Sequence, residues 1–428
     1  MTILNIGVRY ISFSGKILLT LCFLSFTFSS FSQDQAKDTD QKKLADSAAY
    51  KAHMRKQRDL IDILLMIIGK DPGFRLDSNL KSQSGRLHIS GAPSPSYSLA
   101  TSFGFNVTAN TAFYAGDKNV TNLSSVLISP LYTFNQQFAL PIQFSIWLKN
   151  NKYLIVGDWR FLRYPEDTYG IGGLSYEGDT VKVNYDYIRV YSFLLKTIAT
   201  NFYAGIGYEI DNHWNIEQTN VPANTQTVID KYGYTHSSVS SGPAIDLLYD
   251  SRKNSINPEA GSTYANVVLR QNFTALGSNG NWGSLLIDLR KFFRLNDHTN
   301  NILAIWSYNW LTTNGKAPYL DLPSTGWDTY GNTGRGYVQS RFRSPNMVDL
   351  EAEYRFGVLN NGLIGWVVFG NVQSFSEYPS NRFEALQPGI GTGIRIKFNK
   401  FSKTNLCFDW GWGLHGSNGA FVNLGEVF

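Results

Sequence analysis

Residues 331–355 carry the arrangement of charge that invites a chemical reading. Arg335, Arg341 and Arg343 sit in a glycine-containing stretch, and Asp349, Glu351, Glu353 and Arg355 follow at every second position. Guanidinium and carboxylate groups in one place are equipped for charge-assisted, bidentate hydrogen bonds. No catalytic constellation accompanies them. The six histidines (His53, His88, His213, His236, His298, His415) are scattered without His-x-x-x-His spacing, so no metal site is expected. His213 near Asp211 and His298 near Asp297 are isolated pairs, read as turn or loop residues. A hydrolase would have to rest on one of them. No phosphate-cradling Gly-Lys-Ser/Thr loop and no basic stripe for nucleic acid are present. The expectation is a protein that is not an enzyme, with no cofactor and no nucleic-acid partner.

The element that must position these groups is a strand. Val348, Leu350, Ala352, Tyr354 and Phe356 alternate with the charged residues, and a strand's side chains have period two. In a soluble sandwich the apolar face would look inward. In a membrane barrel it looks at lipid, and the charges line the lumen. Similar alternation recurs in residues 181–187, 285–290, 394–398 and 405–414, and turn signals fall at 149–152, 277–280, 360–362 and 416–419. Many segments run to about 10–16 residues, beyond the usual strand length of roughly five or six. Aromatics make up 14% and charged residues 17%, with 38 Gly against 14 Pro, which fits strands and turns rather than disorder. Trp306, Tyr308 and Trp310, and Trp410 and Trp412, cluster toward segment ends, as interfacial girdles do. No stretch after the N-terminal leader is long and apolar enough for a membrane helix. The expected fold is all-β: a transmembrane antiparallel β-barrel of about 16 strands with a short N-terminal helical segment. The alternative is a secreted multi-domain β protein with its Trp stripes in cores.

Residues 1–32 read as a secretory signal peptide: Arg9 and Lys16 precede the apolar run 17–31, and small residues precede Gln33. Cys22 follows Leu21, where lipid attachment would want a small residue. Removing the segment takes two basic residues and no acidic ones, so the formal charge falls from +5 to 36 − 33 = +3. Cys407 is then alone, so no internal disulfide can form. Residues 33–86 read as a charged linker followed by an amphipathic helix over 44–68, stopped by Gly69 and Pro72. Its apolar tip, 63–68, would cap the barrel, lie in the membrane interface or hold a partner. Residues 87–428 are the barrel.

Several motifs, in order along the chain, resemble one family. Residues 93–98 followed by 101–105 look like the first-strand entry of bacterial surface-antigen barrels. Asp250, Arg252, Pro258 and Gly261 resemble their recurrent Asp-x-Arg…Pro-x-x-Gly turn. Gly334-Arg335-Gly336-Tyr337 resembles the tip of their long sixth loop, and Glu353-Tyr354-Arg355 the charged strand after it. The chain ends on Phe428, like an outer-membrane sorting signal, and residues 421–428, with Val422 and Leu424, are expected to form the last strand. The whole resembles a BamA/TamA-like barrel of that superfamily. The resemblance implies a 16-stranded barrel whose sixth loop folds into the lumen, with Arg335 held by the inner wall. Glu351, Glu353 and Arg355 are candidate partners, with generic lumen charge as the alternative for the two glutamates. Asn371 stands in the family's Phe-x-Asp-x-Gly strand where Asp is usual, so the lock would lack one charge. About 54 residues separate Gln33 from the barrel, and the family's periplasmic polypeptide-transport domains are not recognisable there. The resemblance implies a role related to protein insertion or translocation in the bacterial outer membrane. Lipids, and client outer-membrane proteins or subunits of an envelope complex, would be its partners. A client strand would pair at the seam between first and last strands. The alternative function is a non-catalytic channel or scaffold barrel serving as a subunit of an envelope complex.

Overall fold

A computed structural model describes residues 48–428, apart from 74, 76–87, 99, 101, 118–119, 123, 222–224 and 297–298. The signal peptide, most of the charged linker and His298 lie outside the described residues. Among the described residues, eighteen β segments form one antiparallel sheet, and they make sixteen barrel strands. Two strands are each split by a proline, which has no N–H for the ladder. Pro130 separates Ser124–Ile128 from Leu131–Thr133, and both arms pair with the same two neighbours. Pro165 separates Tyr153–Arg163 from Glu166–Thr168, and both pair with Val181–Ala199.

In chain order the strands are β1 (His88–Ser98), β2 (Ser102–Phe113), β3 (Ser124–Ile128 with Leu131–Thr133), β4 (Phe138–Trp147) and β5 (Tyr153–Arg163 with Glu166–Thr168). Then come β6 (Val181–Ala199), β7 (Phe202–Thr219), β8 (Ser238–Asp250), β9 (Thr263–Asn272), β10 (Trp282–Arg294) and β11 (Ile302–Gly315). The last are β12 (Asn346–Gly357), β13 (Ile364–Phe375), β14 (Gln387–Asn399), β15 (Thr404–Trp412) and β16 (Asn418–Leu424). Each strand pairs antiparallel with the next, and β1 lies beside β16, so the sheet returns on itself. Among the described residues no backbone ladder joins β1 to β16.

The alternation predicted for residues 348–356 is realised across β12. Asp349, Glu351, Glu353 and Arg355 are buried, whereas Leu350 is exposed. On β15, Phe408, Trp410 and Trp412 are exposed, whereas Cys407 and Asp409 are buried. Apolar side chains therefore look outward and charged ones inward, the sense of a membrane barrel and the reverse of a soluble sandwich.

Hairpin connections alternate between two ends. Residues 169–180, 220–237, 316–345 and 376–386 make the long loops of one end, the loop end. The opposite, terminal end carries the short connections 358–363 and 400–403, the start of β1, the C-terminal residues and two helices. Those helices, α1 (Ala48–Lys56) and α2 (Leu60–Ile67), replace the single helix expected over 44–68. The break is at Asp59, whose backbone is extended (φ −136°) and whose side chain accepts the Asp62 N–H as a helix cap.

The last strand is a second correction. β16 stops at Leu424 instead of running through Phe428. Gly425 takes φ +101° and donates to the Asn405 carbonyl, which only glycine does readily. Glu426 is thereby drawn inward to Arg395 (2.8 Å), and Phe428 packs on Trp306 with ring centroids 5.2 Å apart.

Candidate lumen lock between the long loop and the inner wall

The loop 316–345 enters the site through a turn organised by Asp328. Its carboxylate accepts the N–H groups of Asn332 (2.7 Å) and Thr333 (2.8 Å). The tip follows at Gly334 (φ +73°) and Gly336 (φ +111°). A Cβ at Gly336 would come 2.9 Å from the Trp412 backbone, so the tip runs flush against the end of β15.

Between these glycines stands Arg335, only 1% exposed. Its Nη1 lies 2.7 Å from Glu353 Oε2 and 2.8 Å from Asp409 Oδ2, and its Nη2 lies 3.3 Å from Glu351 Oε2. The guanidinium sits 3.7 Å from the centroid of the Phe369 ring, a cation–π contact in a desolvated place. The backbone is held as well: Gly334 N donates to Glu351 Oε1 (2.9 Å), and Asn371 Nδ2 donates to the Arg335 carbonyl (2.8 Å). Tyr337 donates its hydroxyl proton to the Pro388 carbonyl (2.7 Å) and accepts the Leu414 N–H (2.9 Å).

A further layer surrounds the three carboxylates. Arg355 Nε lies 2.6 Å from Glu353 Oε1, and its Nη2 donates to the Phe428 carbonyl (2.8 Å). Arg395 bonds Asp409 and Glu426 and reaches Glu353 at 3.5 Å. Three arginines thus meet four acids, Glu351, Glu353, Asp409 and Glu426, in one buried network. Opposite charges in such a place need this density of partners to offset their desolvation.

The return limb of the loop is tied to the other half of the barrel. Arg343 Nη2 lies 2.9 Å from Glu166 Oε1, and Ser340 Oγ donates to the other oxygen of that carboxylate (2.7 Å). Arg341 donates to the Ser175 carbonyl (3.0 Å).

The structure brings Gly334, Arg335, Gly336, Tyr337, Glu351, Glu353, Arg355 and Asn371 into one site. Val422 and Leu424 lie away from it on β16, and Leu424 is exposed. Phe428 reaches the site's edge through Arg355 instead of standing in the last strand. Asn371 meets the arginine's carbonyl rather than its guanidinium, and the acid expected on that strand is supplied by Asp409 on β15. Sequence reasoning missed Asp409, Arg395, Phe369 and Glu426. Asp409 and Arg395 stand on the polar side of recognisable alternations, which marked them as inward; nothing local marks Glu426.

A hydrolase geometry is not formed around His213. That ring is buried, stacks on Tyr187 (centroids 4.1 Å apart) and lies 3.4 Å from Asp321 Oδ1. The nearby Ser240 hydroxyl donates to Asp321 (2.5 Å), not to the imidazole, so no Ser–His proton transfer is set up.

No protein-family model matches the sequence, and no curated protein matches it. Solved structures do. BamA from Haemophilus ducreyi lacking POTRA domains 1–3 superposes with a TM-score of 0.53 at 11% identity, over 89% of this chain and 82% of that one. CdiB from Acinetobacter baumannii gives 0.50 at 11% identity, over 79% of this chain and 60% of that one. Trp306 and Tyr308, expected in an outward girdle, are instead buried on the face shared with Glu351 and Asp349, and only Trp410 and Trp412 of those clusters are exposed. With charge inward on β12, exposed rings on β15 and an antiparallel sheet that returns on itself, the chain has the fold of a BamA-like transmembrane β-barrel.

Proposed function

We propose that the chain is an outer-membrane barrel related to protein-insertion and translocation machinery, with the 316–345 loop folded into its lumen as a fixed part of the wall. The buried Arg335 network carries this proposal. A loop pinned by three carboxylates occupies the space through which an open channel would conduct, so a role as a diffusion pore is the less supported alternative. Work is then done at the wall, and the wall has one weak place. β16 has seven residues against eleven in β1, and these neighbours share no described ladder. Unpaired backbone in lipid costs several kcal/mol per group, so an incoming strand that supplies hydrogen bonds there by β-augmentation is strongly favoured. Its partners would be client outer-membrane proteins or subunits of an envelope complex. The test is depletion of the protein in its native cell, followed by quantification of outer-membrane proteins. A fall in several unrelated barrels is expected; unchanged levels refute the proposal.

A further inference from the structure

The acidic groups at the start of α2 are committed to the barrel. Asp59 accepts Arg75 Nη1 (2.6 Å) and the Lys400 N–H (2.8 Å), Asp62 pairs with Lys400 Nζ (2.7 Å) and with Arg75, and Arg58 N donates to the Asn361 carbonyl (2.9 Å). These bonds clasp the helix to the connections 358–363 and 400–403. The opposite side has no such commitment. At 3.6 residues per turn, Leu64, Ile67 and Ile68 stand roughly 140–240° around the helix from Asp62, and they are 54%, 74% and 64% exposed. An apolar face of this kind on a rigidly held helix marks a contact surface.

Two observations identify what covers it. Val358 and Leu359, in the connection that α1 and α2 adjoin, are exposed and apolar too, so the outward apolar surface of the barrel wall continues to the level of the helix. The helices are also basic. Arg55, Lys56 and Lys70 are exposed, whereas Asp71 is the single exposed carboxylate within residues 51–73. Basic side chains flanking an apolar helix face complement an anionic lipid surface. Eight residues reach about 12 Å, too short to span a bilayer.

We propose that α2 lies flat in the headgroup–acyl boundary of the leaflet at the terminal end of the barrel, with Leu64, Ile67 and Ile68 in lipid and Arg55, Lys56 and Lys70 at anionic headgroups. This rests on the barrel standing in a bilayer and not on any role in protein insertion. The full chain, with Cys22 and Cys407 replaced by alanine, carries an environment-sensitive fluorophore at Ile67→Cys or at Val368→Cys, an exposed position on β13. Each is reconstituted in vesicles of phosphatidylethanolamine and phosphatidylglycerol with plain or brominated acyl chains. Brominated lipid is expected to quench Ile67→Cys at least half as strongly as Val368→Cys, and Lys56→Cys several-fold less. Quenching at Val368→Cys with none at Ile67→Cys overturns the inference, and a blue-shifted but unquenched Ile67→Cys would assign the face to a protein partner or a second copy. No quenching at either position would instead overturn the membrane placement of the barrel.

Discussion

Arg335→Ala is the sharpest perturbation of the proposed lumen lock. The network holds Arg335, Arg355 and Arg395 against Glu351, Glu353, Asp409 and Glu426, a balance of 3 − 4 = −1; without Arg335 it becomes 2 − 4 = −2. The loss is unevenly felt. Glu353 keeps Arg355, Asp409 keeps Arg395, but Glu351 keeps only the Gly334 N–H. Breaking one buried pair costs about 3–5 kcal/mol. Two of the three acids retain a cation, so the lower figure applies, about 3 kcal/mol. That corresponds to roughly a hundredfold rise in the population with the tip released. Hydrogen exchange of residues 328–345 reads that population directly, because exchange from a locally opened segment follows its opening equilibrium. Arg335→Ala should lose about two orders of magnitude of protection there, with the amides of β6 and β7 unchanged as an internal control for an intact barrel. Arg335→Lys should fall between, since a point charge cannot bridge three carboxylates as a planar fork does. Equal protection in the parent and in Arg335→Ala would refute the idea that this side chain anchors the loop.

Gly336→Ala should release the same tip by a different cause. A methyl group at φ +111° is strained and meets β15 backbone, so about 1–3 kcal/mol of local destabilisation is expected, read by the same exchange experiment. Leu350→Arg places a charge on the outward face between Asp349 and Glu351 and should lower folding stability in vesicles by about 2–4 kcal/mol if the position is near mid-bilayer; denaturant titration of the vesicle-inserted barrel checks it. The α1–α2 clasp should be acid-sensitive. Burial works against the Asp59 charge, but hydrogen bonds from Arg75 and from the Lys400 and Asp62 N–H groups outweigh it and hold the carboxyl below its ordinary range. A depressed carboxylate stabilises the folded form above its unfolded pKa of about 4, and that contribution disappears as pH falls through the folded value. Exchange in residues 51–67 should therefore be slow at pH 7 and speed up below pH ~4 beyond the intrinsic pH effect, and Asp59→Asn should already be fast at pH 7.

The strand alternation of residues 348–356 was readable because period-two patterning is a local property, and so was the Gly-Arg-Gly tip. The partner list was not. Arg335 and Asp409 are 74 positions apart; periodicity says that Asp409 looks inward but not which loop it meets. Asn371 looked like a weakened lock when judged by its own strand alone, whereas the missing charge comes from β15. The course of residues 425–428 depends on Gly425 and on cations that Arg355 and Arg395 bring from other strands, so a terminal aromatic read as a strand residue turned inward. The division of one apparent helix at Asp59 was visible in principle, since Asp is a good cap, but its selection there reflects the Arg75 and Lys400 partners it gains.

The two ends of residues 335–343 are tied to opposite halves of the chain. Arg335 needs Asp409 from the penultimate strand, while Arg343 needs Glu166, 177 positions earlier, beside the proline that splits β5. During assembly the loop cannot settle on the early half alone, because its tip would bring an uncompensated cation into a half-built wall. Its seating thus requires β5 together with β12 and β15, in the manner of a latch that engages only when both door panels have swung home.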